Sequence, residues 1–179
     1  MASYVSDAIL FTKTFKSMRF APKVVMGFDG GFAEAGYLEA LGDDANATMV
    51  IDHFFLSALA KAKPVTAKIN DMYKQRSGKD LTTASALGFT GAQIWAHVLN
   101  KAGKTDSAAI QKAFNELDLP GKEVIMPWTG VKFENFGGDT GQNRKVSAAV
   151  TQIQKGVRQV VYPGEMSTAK MIYPFPQWK

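Results

Sequence analysis

Cysteine is absent from the 179 residues, histidine occurs only twice, and no motif for nucleotide or acyl chemistry is present. Without cysteine the chain has neither a disulfide framework nor a thiolate metal site, which leaves its redox compartment open. His53 and His97 lie far apart in sequence and match no ligand spacing that pre-forms a metal centre. No Gly-x-Ser-x-Gly turn carries a serine nucleophile, so neither histidine completes a legible triad, and the chain is read as no enzyme. The pairs Gly30-Gly31 and Gly137-Gly138 lack both the Walker lysine and the Gly-x-Gly-x-x-Gly order. No cofactor is therefore expected.

The formal charge of +5 and the pI of 9.3 do not amount to a nucleic-acid footprint. Lys13, Lys16, Arg19, Lys23, Lys61, Lys63 and Lys68 are spread along the chain with acids between many of them, as on a solvated surface. Leu81 to Asn100 carries no charge over roughly the length of a membrane span. Its Thr82, Thr83, Ser85, Thr90, Gln93, His97 and Asn100 would each need a partner in hydrocarbon, so a mostly buried helix of a soluble domain is expected. The opening Met-Ala-Ser-Tyr-Val-Ser-Asp has no basic region leading into an apolar core, and no signal peptide is expected in this chain.

What is present begins with Val24-Val25-Met26-Gly27-Phe28-Asp29-Gly30-Gly31. A short β-branched run that stops at glycines reads as a parallel strand feeding a helix, and open α/β sheets bind ligands outside the carboxyl ends of such strands. Asp29 is the first candidate for a ligand contact, because flanking glycines let a small molecule approach the backbone while the carboxylate reads a cationic group. The alternative is a loop aspartate that caps the next helix.

Apolar residues make up 46% of the chain, enough for a buried core in one domain or two small ones. Ala8, Phe11, Phe15 and Met18 predict a helix over 6–18 with that face inward. That helix, a strand at 24–26 and a helix at 32–41 closed by Gly42 form an αβα segment of a parallel sheet, and another strand follows at 47–51. Pattern fades from Asp52 to Pro64. Helices follow at 65–77, 85–102 and, capped by Asp106, 107–117, with no strand between them, as if covering a sheet supplied elsewhere. From Val124 short alternating runs take over, and 146–154 with 157–162 form a hairpin across Lys155-Gly156 at a sheet edge. The prolines of the tail Tyr173-Pro174-Phe175-Pro176 exclude a central strand or a helix there.

The order of these features resembles the C-terminal half of a solute-binding protein of the branched-chain amino-acid (Leu/Ile/Val) type, the periplasmic receptor of an ABC importer. The resemblance is carried by Tyr4 with Ser6-Asp7, Pro22 to Gly27, Phe89-Thr90-Gly91-Ala92-Gln93, Leu99 to Gly103, Phe133, Gly141-Gln142-Asn143, Val150 to Gly156, Val161-Tyr162-Pro163 and the tail ending in Trp178. It implies an α/β, type I periplasmic-binding-protein-like two-lobed fold, incomplete because the N-terminal half is absent. Residues 1–51 would belong to the second lobe, 52–139 to the first, and 140–179 would return to the second. It further implies periplasmic or extracellular capture of an amino acid or similar small polar solute in an inter-lobe cleft, with an ABC permease as partner of the full-length protein. Asp29 matches the acid that holds a ligand ammonium, one methylene shorter than the glutamate usual there; Tyr4 and Phe89 match cleft-wall aromatics, with ordinary core packing as their alternative. Such a half protein would expose apolar helix faces and self-associate. The competing reading is a ligand-sensing effector domain of a regulator or receptor on the same scaffold.

Overall fold

A computed structural model describes residues 1–28 and 30–178. In chain order they form α1 (Val5–Ser17), β1 (Met26–Phe28), α2 (Ala35–Leu41), β2 (Met49–Asp52), α3 (Leu56–Ala62), α4 (Pro64–Ser77), α5 (Thr83–Ala102), α6 (Ser107–Asn115), β3 (Asp118–Pro120), β4 (Gly130–Phe136), β5 (Asp139–Asn143), β6 (Ala149–Gln154) and β7 (Val157–Tyr162). Two compact units divide the chain: unit 1 is Met1–His53 with Ala149–Lys179, and unit 2 is Phe54–Ala148. The resemblance implies lobe boundaries after residues 51 and 139; the later boundary between the compact units falls after Ala148, where β5 pairs with β4, Thr129 donates through N and Oγ1 to the Lys145 carbonyl, and Ser147 Oγ donates to the Pro127 carbonyl.

Unit 1 is a four-stranded sheet in the order β1-β2-β6-β7. β1 and β2 run parallel, with Met26 opposite Met49, and β6 joins β2 antiparallel, with Thr151 opposite Val50. β1 lies two residues beyond the expected strand. Val25 is nevertheless fixed, since it is buried and its carbonyl accepts from Met49 N at 2.9 Å. The β6–β7 hairpin turns on Lys155 (φ 52°) and Gly156 (φ 74°), the positive pair that a tight two-residue turn requires. The core gathers Ala8, Val25, Phe32, Tyr37, Leu41, Val50, Ile153 and Phe175. The proline-bearing tail completes it: Phe175 N donates to the Lys23 carbonyl and Trp178 Nε1 to the Phe20 carbonyl.

The inward face of α1 differs from the expected one. Ala8 and Thr12 are buried, with Val5, Ile9 and Phe15 packed beside them, while Phe11 and Met18 are exposed. A polar residue can sit inside because its hydroxyl is satisfied twice, on the Ala8 carbonyl (3.0 Å) and the Tyr37 hydroxyl (2.7 Å), and this rotates the helix.

Unit 2 places α3 to α6 consecutively. α3 falls in the stretch without a pattern, as two turns that have no side-chain cap and bury only Leu59. α4 and α5 end on the left-handed Gly78 and Gly103, and α5 starts with a Thr82–Ser85 capping box. Asp106 caps α6 by accepting from Ala109 N at 3.0 Å. The unit also has a sheet of its own, β3-β4-β5, which corrects the expectation of helices without strands. α6 meets this sheet through Phe114, whose ring lies 5.7 Å from Phe133. α5, expected to be mostly buried, hides only Ala86, Thr90 and Val98 and exposes Leu87, Phe89, Trp95 and Leu99, because the unit covers one side of it. No helix among the described residues is long and apolar enough to cross a membrane.

Candidate ligand-contact site

The carboxyl end of β1 is built by close backbone approach. Phe28 N donates to the Met1 carbonyl and Gly31 N to the Ser3 carbonyl, both at 2.8 Å. A Cβ on Gly31 would collide with the backbone of Tyr4, and Gly30 holds φ +51° against the Ser3 carbonyl. The sequence assigned these glycines to approach by a small molecule. The structure gives the space beside them to Ser3 and Tyr4, so the glycine requirement here comes from the chain's own packing.

That packing fixes Tyr4 at the start of α1, where its carbonyl accepts from Ala8 N at 3.0 Å and its side chain is 82% exposed. The ring belongs to no core. Phe28, 53% exposed, meets His53 edge-on with centroids 6.3 Å apart, so two further rings stand where β1 and β2 end. Asp29 lies outside the described residues.

Beneath the loop runs a polar brace that the sequence reading missed. Arg158 on β7 donates from Nη2 to the Phe32 carbonyl (2.7 Å) and from Nη1 to Thr151 Oγ1 (3.3 Å). Burial lowers the guanidinium pKa, while the charge of Asp52, itself buried at the end of β2, works in the opposite direction. Burial raises the Tyr37 phenol, against its hydrogen bonds with Thr12 and Thr48. The turn Gly30–Phe32 is thus held by a charged side chain from the edge strand. Its signal was available: Arg158 stands two residues before the buried Val160 and opposite the buried Ile153, a charge on an inward position of a strand.

Phe89 belongs to unit 2 and lines an apolar groove with Ile69, Met72, Tyr73, Arg76 and Leu81. Tyr4 belongs to unit 1. Among the described residues no group of three or more His, Asp or Glu is placed to hold a metal ion.

Comparison with known proteins then places the chain. Residues 1–157 match the family described as periplasmic binding protein, and the chain belongs to that family. It is 25% identical over 174 residues to the Leu/Ile/Val-binding protein homolog 7 of Brucella suis, covering 96% of this chain and 42% of that protein. Its fold is similar to that of a leucine-binding protein from Thermotoga maritima, with TM-score 0.69, 18% identity, and coverage of 89% of this chain and 42% of the other. It is likewise similar to a leucine-, isoleucine-, valine-, threonine- and alanine-binding protein from Brucella ovis, with TM-score 0.64, 14% identity, and coverage of 99% and 41%. The fold is therefore of the type I periplasmic-binding-protein kind, and the chain spans about two fifths of the length of the relatives it matches.

Proposed function

We propose that this chain forms part of the solute-binding component of an ABC importer, which captures an amino acid or similar small polar solute between two lobes outside the cytoplasm and performs no chemistry on it. In this reading unit 1 belongs to the second lobe and unit 2 to the first. Asp29 holds the ligand ammonium, Tyr4 and Phe89 supply aromatic wall, and an ABC permease receives the loaded protein. The observation that carries the reading is the family match over residues 1–157. The exposed Tyr4 ring beside the end of β1 supports it, since ligands of open α/β sheets lie outside the carboxyl ends of strands.

The test is calorimetry with an amino-acid panel on the protein at the full length of its relatives, before and after Asp29→Ala. An enclosed charge-assisted hydrogen bond contributes about 1.5–3 kcal/mol, so the variant is expected to lose about 10- to 150-fold in affinity. Unchanged affinity removes Asp29 from the site. Absence of binding by any panel member in the parent removes amino acids as the ligand. The reading also entails self-association of the 179-residue chain alone through its exposed apolar groove, and light scattering that reports a stable monomer counts against it.

A further inference from the structure

The segment between β3 and β4 is irregular and yet buried, with Val124, Ile125 and Met126 all at 0% exposure. Buried backbone oxygens need partners, and here side chains provide them. Five of the six carbonyls from Glu123 to Trp128 accept such a bond, Glu123 from Gln93, Ile125 from Thr66, Pro127 from Ser147, and Met126 and Trp128 from Lys63, while the Val124 oxygen lies near the same ammonium.

Lys63, the residue that precedes α4, is the focus of this arrangement. Its Nζ lies 2.6 Å from the Met126 oxygen, 2.9 Å from Gly121, 3.0 Å from Trp128 and 3.4 Å from Val124. An ammonium has three N–H donors, and the three short contacts use all of them. The fourth oxygen adds a charge–dipole contact. The carbonyls of 124, 126 and 128 reach the same ammonium from a bent segment, and Gly121 adds its oxygen from the preceding 3-10 turn. Burial lowers the ammonium pKa, whereas the inward carbonyl dipoles favour its charged form.

Rings of backbone carbonyls are the donor set with which proteins replace the hydration shell of potassium, an ion close to ammonium in size and charge. We propose that Gly121–Trp128 is a monovalent-cation cage whose resident ion is the tethered Lys63 ammonium, and that potassium or free ammonium takes this place when the side chain is removed. The proposal does not depend on the ligand assigned above. It makes the conformation of this buried segment conditional on one positive charge at a defined point.

The test compares the thermal midpoints of the parent chain, Lys63→Ala and Lys63→Met in potassium, ammonium and choline chloride at equal ionic strength. Lys63→Ala is expected to melt below the parent in choline and to regain about 4–8 °C, saturably, in potassium or ammonium. The parent is expected to be indifferent to the exchange. Lys63→Met, whose uncharged side chain fills the same space, is expected to stay low in all three salts. Equal midpoints for Lys63→Ala in the three salts, or failure to fold in all of them, overturn the exchangeable-ion proposal, as does an equal gain in the parent. On the parent itself, NMR of the lysine ammonium groups is expected to show slow proton exchange at Lys63. Exchange there as fast as at the exposed lysines overturns residence in the cage.

Discussion

Unit 1 answers most of its buried backbone groups with other backbone groups through a regular ladder, whereas unit 2 buries an irregular segment whose carbonyls are answered by side chains. The polar brace of unit 1, Arg158 on Phe32, sits under a loop and beside an apolar core. The corresponding groups of unit 2 hold a segment whose Val124, Ile125 and Met126 are wholly buried. The difference teaches where each unit is vulnerable: unit 1 first at the large side chains of its core, unit 2 first at the hydroxyl and ammonium groups that hold one buried segment.

The largest expected effect comes from the core of unit 1. Phe32 is buried and its ring lies 5.1 Å from that of Tyr37, so Phe32→Ala should cost about 3–5 kcal/mol. Hydrogen exchange should show the amides of α1, α2 and β2 losing protection; loss confined to other elements breaks the comparison. A smaller effect with no apolar counterpart is expected in unit 2. Thr66→Val keeps the shape but leaves the Ile125 carbonyl without the hydroxyl that now reaches it at 2.9 Å, at a cost of about 1–3 kcal/mol in denaturant titration. A neutral result means that the segment finds another donor.

The response to pH should also separate the units. Asp80, Asp106 and Asp118, all in unit 2, have pKa values below the ordinary carboxylate value, led by hydrogen bonds from Asn70, Lys104 and Lys145 respectively. A depressed folded pKa contributes stability that is present above the unfolded carboxylate pKa and lost as pH falls through the folded one. Tyr37 of unit 1 is raised by burial, so its contribution is present below the unfolded tyrosine pKa of about 10 and lost as pH rises through the folded value. Hydrogen exchange at acid pH should open unit 2 first, and tyrosinate absorbance at alkaline pH should follow the opening of unit 1. The reverse order breaks the assignment.

The smallest effects should be equal in both units. Gly156 (φ 74°) in unit 1 and Gly78 (φ 73°) in unit 2 face open space, so alanine at either meets only the left-handed conformational cost of about 1–2 kcal/mol. Unequal losses in thermal melts would show that the comparison extends to the turns as well.

Much of the fold was legible because its signals are local. Gly78, Gly103, Thr82 and Asp106 mark helix ends through groups within one turn of them, and Lys155-Gly156 marks a hairpin. α3 escaped because two turns of Leu and Ala without a cap carry too little pattern. β5 escaped because Asp139–Asn143 is polar throughout, although the Gly137-Gly138 turn before it is a hairpin signal. Of the candidate site, Tyr4 is singled out by the family resemblance, while the tight fit of Gly31 against its backbone is invisible in the sequence. Lys63 stands among charges that read as solvated, and Arg158 goes unremarked, because their partners lie far along the chain.

The sequence by itself determined the order of the capped helices and of the β6–β7 hairpin, the turns that bound them, and membership of the periplasmic binding protein family. The tertiary structure alone decided which face of α1 turns inward, that Ser3 and Tyr4 fill the space beside the β1 glycines, and which carbonyls receive Arg158 and Lys63. The reason is physical. Periodicity and capping are written in residues three or four apart, whereas the oxygens that an irregular chain leaves unpaired exist only once distant segments have been brought together.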